Sequence, residues 1–211
     1  MFYCCNFCAK LPAMGYSRAL CIVFGLVTFA VPGLARDGAE TNIPLKNLSA
    51  HEIREEALDR LFASLRTASN EEAAKATEQK IWELWSRSDS PTAEVLLGQA
   101  VVAMGVSENT ASLEILDRIV AAYPDYAEAW NKRATLEFVL GNFDASLADI
   151  DKVLDLEPRH FGALAGRGMI LQSQQKWGAA LDAYRDALRM NPNMPGVKNA
   201  VHELEKRERD I

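Results

Sequence analysis

Four aspartates crowd one short stretch, NFDASLADIDKVLDLEP over residues 142–158: Asp144, Asp149, Asp151 and Asp155. Closely spaced carboxylates are what a calcium loop uses, because a hard cation gathers several oxygens from one tight turn. An EF-type loop needs a further ligand two residues after Asp151 and then a glycine, and Val153 and Leu154 stand there instead. The stretch carries its apolar residues at helical spacing, so the aspartates are expected on the solvated outer face of a helix.

Zinc chemistry has three starting points, and each stops short. His51-Glu52 and His202-Glu203 begin like a zinc-protease helix, which places a second histidine four residues after the first; Glu55 and Lys206 occupy those positions. Cys5 and Cys8 have metal-ligand spacing, but no second pair follows. His160 stands alone at a segment boundary. GALAGRG, residues 162–168, has the glycines of a phosphate loop without its Gly-Lys-Ser/Thr ending or a preceding strand. Close helix packing explains Gly162, Gly166 and Gly168 more simply, at roughly 1 kcal/mol of helix stability per glycine relative to alanine. No nucleophile, base and orienting group come together, so the expectation is no catalytic residue, no metal, no cofactor and no enzyme activity.

The elements that carry these residues are bounded by composition. The chain has 211 residues and a formal charge of −6, without a basic tract. That disfavours a nucleic-acid surface, which displaces counterions with clustered Lys and Arg. All four cysteines fall in the first 35 residues, where Lys10 and Arg18 flank the apolar run ALCIVFGLVTFAV and PGLA follows. This is a secretory signal pattern with cleavage expected after Ala35. The run is shorter than the roughly 20 residues of a spanning helix, although an uncleaved N-terminal anchor is the alternative. Met14 offers a second start that gives a signal of more usual length. The chain from residue 36 carries 21 basic and 29 acidic residues and no cysteine, so it is expected to be stabilised by packing alone in an exported, periplasmic location.

Residues 36–48 read as a polar lead-in. Ser49 with Glu52 has capping-box spacing, and Ile53, Ala57, Leu58, Leu61, Phe62 and Leu65 form one helical face. Asn70 caps a second helix that ends near Pro91. From there the chain repeats. Pro124, Pro158 and Pro192 are 34 residues apart and divide it into 93–126, 127–160 and 161–194. Ala111, Ala145 and Ala179 coincide, as do Leu113, Leu147 and Leu181. Leu96, Trp130 and Leu164 share a large slot, and Ala100, Ala134 and Gly168 a small one. Leu116, Ile150 and Tyr184 align, as do Val120, Leu154 and Leu188. Seven positions held through two periods without a gap establish a repeat of helical pairs.

The pattern resembles the tetratricopeptide repeat. The third unit reads Leu164, Arg167-Gly168, Leu171, Ala180, Tyr184, Ala187 and Pro192; the second reads Trp130, Arg133-Ala134, Glu137, Ser146, Ile150, Val153 and Pro158. The first, with Gln99-Ala100, Ala103, Ser112, Leu116, Ile119 and Pro124, is the most diverged, and Ala103 and Glu137 replace the family's usual tyrosine. The resemblance implies an all-α solenoid, a right-handed superhelix of antiparallel helix pairs. A degenerate pair over 49–91 would precede the three units, and a capping helix over 195–211 would close them.

It also implies a concave face made by the first helix of each unit, where peptides or partner helices dock. By register that face includes Leu97, Val101 and Met104, then Asn131, Thr135, Phe138 and Val139, then Ala165, Met169 and Gln172. Family members that clamp a terminal carboxylate place Lys and Asn at the slots held here by Leu97 and Val101, so that mode is not expected. The resulting expectation is a scaffold that binds a peptide or helix of a partner protein through an apolar groove, in a periplasmic assembly. A self-associating envelope component is the second reading. The bland alternative for the groove is that its residues only pack, or are covered by the helices of 49–91.

Overall fold

The computed structural model describes residues 49–209. The expected leader, its cleavage point, the four cysteines and the lead-in all lie outside the described residues. Within them the chain forms helices and no strand: α1 (Ala50–Arg66), α2 (Glu71–Trp85), α3 (Pro91–Gly105), α4 (Asn109–Ala122), α5 (Ala127–Val139), α6 (Phe143–Leu156), α7 (Phe161–Ser173), α8 (Trp177–Met190) and α9 (Pro195–Arg209). Helices α3–α4, α5–α6 and α7–α8 are the three repeat units, stacked α4 on α5 and α6 on α7, and α9 packs on α8. The fold is the all-α solenoid expected from the repeat.

Local chemistry sets the pairs. Ser49 starts α1 with a reciprocal capping box: the Glu52 N–H donates to Ser49 Oγ at 3.2 Å, and the Ser49 N–H donates to Glu52 Oε2 at 2.9 Å. The Ala73 N–H donates to Asn70 Oδ1 at 2.8 Å and starts α2. Between the two helices of each unit, one residue adopts the left-handed conformation: Ser107 (φ 62°), Gly141 (φ 81°) and Gln175 (φ 60°), again 34 residues apart. The next residue's N–H reaches back to the carbonyl of Ala103, Glu137 or Leu171 at 2.8–2.9 Å, closing a Schellman turn. Between units, the residue before each proline is the C-cap, with ψ of 67° at Tyr123, 90° at Glu157 and 95° at Asn191. Proline disfavours the helical conformation in its predecessor, so each second helix stops at the same place.

Packing repeats with the same period. Ser112 Oγ donates to the Ala100 carbonyl at 2.9 Å, and Ser146 Oγ to the Ala134 carbonyl at 2.7 Å, so each buried hydroxyl is satisfied across the two helices of its unit. The third unit replaces this with shape. A Cβ on Gly168 would come within 2.5 Å of the Tyr184 ring, so glycine makes room for the tyrosine. Arginines bridge neighbouring units in register: Arg133 pairs with Asp117 at 2.8 Å, and Arg167 pairs with Asp151.

One expectation is corrected. Asp144, Asp151 and Asp155 are exposed as expected, but Asp149 is only 4% exposed. It accepts both Arg133 Nε at 2.8 Å and Nη2 at 2.7 Å, because a bidentate guanidinium can satisfy a carboxylate taken out of water. Ala111, Ala145 and Ala179 share a register on the exposed side, and the small positions of the repeat pattern beside them, Ser112, Ser146 and Ala180, are buried.

Helices α1 and α2 form their pair but lie along the row of inter-unit turns. At the first turn Tyr126 Oη donates to the Ser86 carbonyl. At the second, Trp85 Nε1 donates to Glu157 Oε2 at 3.2 Å, and Arg159 reaches Asp59 at 2.6 Å and Glu55 at 2.7 Å. At the third, Asn191 Nδ2 donates to Glu78 Oε2 at 3.0 Å and Asn193 Nδ2 to the Leu65 carbonyl at 3.0 Å. One apolar cluster, containing Leu58, Phe62, Leu65, Ile81 and Trp85, joins the pair to Phe161 of α7.

Candidate functional site

The first helices of the three units, α3, α5 and α7, carry every residue expected on the concave face. The first turns of α5 and α7 are covered. Trp82 lies edge-on to Phe161 at 5.4 Å and to His160 at 5.3 Å, and its ring would meet a Cβ on Gly162 at 2.6 Å. The Lys132 ammonium sits over the same indole, 5.4 Å from its centroid. Asn131 and Ala165, both expected to face a partner, are buried, as is Leu97 in the core shared by α3, α4 and α5.

The later turns remain open. Val101, Thr135, Val139 and Met169 are exposed, with Val139 at 64% and Met169 at 47%. Met104, Phe138 and Gln172 are half-buried: Met104 packs on the α3–α4 core, Phe138 lies 5.7 Å from Phe143, and Gln172 Oε1 accepts from Tyr184 Oη at 2.7 Å. The open portion is uncharged, a short apolar surface edged by hydroxyl and amide groups.

Beneath the covered portion lies a polar hub. His160 is fully buried and caps α7: its Nδ1 accepts the Ala163 N–H at 3.0 Å. Nε2 therefore carries the proton of the neutral ring and donates to Glu128 Oε2 at 3.2 Å. Glu128 also receives Asn131 Nδ2 at 3.0 Å and lies 2.7 Å from the Lys132 ammonium. Burial alone would raise the Glu128 pKa; the His160 hydrogen bond and the Lys132 charge outweigh it and hold the carboxyl below its usual range. Trp85 stacks on the His160 ring and closes the hub. The hub thus joins the second unit, the third unit and the N-terminal pair.

A cleft of about 710 Å³ opens between α1, the α2–α3 connection and the first inter-unit turn. Leu58, Leu84, Trp85, Tyr126 and Leu156 form its apolar side, while Arg54, Asp89 and Asp125 stand among its polar residues. Arg54 is already held by the Arg87 carbonyl at 3.3 Å and by Asp89 at 3.4 Å. Among the described residues no group of three or more His, Cys, Asp and Glu could hold a metal ion.

Residues 97–152 and 131–195 match the tetratricopeptide repeat family model. A TPR repeat-containing protein of Rhizobium etli is 38% identical over 175 residues, covering 80% of this chain and 84% of that protein. The chain belongs to the tetratricopeptide repeat family. Among solved structures, the first TPR domain of Spaghetti bound to the HSP90 peptide SRMEEVD superposes with a TM-score of 0.54 at 21% identity, over 56% of this chain and 94% of that one. MamA gives 0.53 at 17% identity, over 68% and 81%. At these identities the likeness is one of fold.

Within the tetratricopeptide framework, the hub is what sequence reasoning missed. His160 stands where the units meet, and Glu128 is one residue into α5; only the 34-residue period, which places His160 next to the start of α7, hinted at a special role. Its aromatic partners, Trp82 and Trp85, come from α2, which is distant in sequence and irregular in motif.

Proposed function

We propose that this chain is a non-catalytic protein–protein interaction scaffold that holds an apolar peptide or helix of a partner on the open portion of its concave face. The observation that carries this reading is the uncharged surface of Val101, Thr135, Val139 and Met169, exposed along the first helices of the three units. Burying such a surface under a partner would remove apolar area from water at roughly 25 cal/mol per Å². The Spaghetti domain holds a peptide rich in carboxylates. Here Leu97 is buried and Val101 is apolar, which favours a different, uncharged ligand. The leader pattern at residues 1–35 supports export to the periplasm, and the processed chain would begin at Arg36.

Photocrosslinking in the native cell tests the reading. A photoreactive residue at Val139 or Met169 is expected to label the same polypeptide, while one at the exposed Asp155 labels none. Equal labelling from all three positions would overturn it. N-terminal sequencing of the chain recovered from the periplasm checks the cleavage.

A further inference from the structure

The helix that begins the solenoid has two apolar sides. One faces the core through Ala93, Leu97, Ala100 and Ala103. The opposite side carries Val95, Val102 and Val106, exposed at 61%, 68% and 64%. A water-exposed helix ordinarily turns a polar side outward, and an all-round apolar one is ordinarily buried. In a regular stack the preceding unit would cover this side. Here α1 and α2 lie along the inter-unit turns, and the valines of α3 stay open.

The same side holds Gly98 and Gly105, and a Cβ on either would meet nothing within 4 Å. Neither glycine is required by packing within the chain. Gly98, in the helix interior, costs about 1 kcal/mol relative to alanine. Val95, Gly98, Val102 and Gly105 follow one another at steps of three, four and three residues, an alternating seam of knobs and holes.

We propose that this side of α3 is a homodimer interface, in which α3 pairs antiparallel with α3 of a second copy about a two-fold axis at Ala100. That axis sets Val95 of one copy against Gly105 of the other, and Gly98 against Val102, so Val95 and Val102 each enter the space of a glycine, while Val106 falls at the end of the contact, level with Glu94 of the other copy. The seam is self-complementary in this direction only. A parallel pairing in register would set valine against valine and glycine against glycine. The net negative charge of the chain opposes contact between two copies in general, and α3, with Glu94 as its only ionisable residue, is a side on which that repulsion is small. A helix of 15 residues is only about 22 Å long, so the contact is smaller than the roughly 1,200 Å² of stable complexes. The dimer is accordingly weak and transient.

Sedimentation of the full chain tests this together with disulfide mapping. Association is expected over tens to hundreds of micromolar. Val102→Glu should weaken it at least about tenfold while leaving helicity unchanged, because the side chain is exposed. In a chain with Cys4, Cys5, Cys8 and Cys21 replaced by serine, Val95→Cys and Gly105→Cys are made separately and mixed. The mixed disulfide should form and neither homodisulfide should, since like positions lie about 15 Å apart along the axis, beyond the roughly 7 Å limit for bridging. Homodisulfides without the mixed species would overturn the antiparallel register. A monomer at about 200 µM, or association indifferent to Val102→Glu, would overturn the interface. Val139→Glu lies outside the seam and should leave association intact, which separates this result from failure of the groove reading.

Discussion

The indole of Trp85 lies flat on the imidazole of His160, with ring centroids 4.1 Å apart and planes 12° from parallel. This stack fastens the N-terminal helical pair to the repeat array. His160 at the same time caps α7 and bonds Glu128 of the preceding unit, so one residue links three parts of the molecule.

Removing the indole should therefore unfasten the pair before it unfolds the array. Trp85→Ala is expected to cost about 3–5 kcal/mol, as for other large buried aromatics. Hydrogen exchange read by mass spectrometry should show α1 and α2 losing protection while α5 to α8 keep most of theirs. Uniform loss across all helices would mean that the pair and the array fold as one unit.

Acid should loosen the same contact. Glu157 is held below the usual 4.5 despite burial, by its bonds to Arg159 and Trp85, and Glu128 is lowered by His160 and Lys132. A carboxyl depressed in the folded state contributes its full stability above the unfolded pKa and loses it as pH falls through the folded value. Stability from both groups is thus intact at neutral pH and declines below about 4.5. In a chain carrying Trp130→Phe and Trp177→Phe, fluorescence of the remaining Trp82 and Trp85 should follow this decline. Glu157→Gln should lower stability at pH 7 and flatten the acid limb.

Gly168→Ala should be destabilising by about 1–3 kcal/mol, because the added methyl meets the Tyr184 ring in a packed core. Gly178→Ala provides the contrast: nothing lies within 4 Å of its Cβ, and the change should be neutral or stabilising by up to about 1 kcal/mol. Urea denaturation distinguishes the two.

Ser107 and Gln175 occupy the left-handed position that Gly141 fills in the second unit. A side chain there costs about 1–2 kcal/mol. Ser107→Gly and Gln175→Gly should each raise the thermal midpoint, while Gly141→Ala should lower it.

Much of this architecture is legible from residue spacing. The prolines, the small slots and the large apolar positions at 34-residue intervals are local devices: each acts on its own helix or on the next one. The capping residues Ser49 and Asn70 mark helix starts for the same reason. The groove was only half legible. Period places Asn131, Ala165, Val139 and Met169 on the same helices, but which of them meets solvent depends on what lies over each turn.

By itself, the sequence determined the all-α solenoid and its 34-residue period, because these follow from interactions between residues close along the chain or one period apart. Tertiary structure alone decided where α1 and α2 go. Their placement rests on contacts such as Arg159 with Glu55, 104 residues apart, and Trp85 with Glu157, 72 apart. No local period encodes those pairs. From that placement follow the covered first turns of α5 and α7, the burial of His160 and Glu128, and the open valine side of α3.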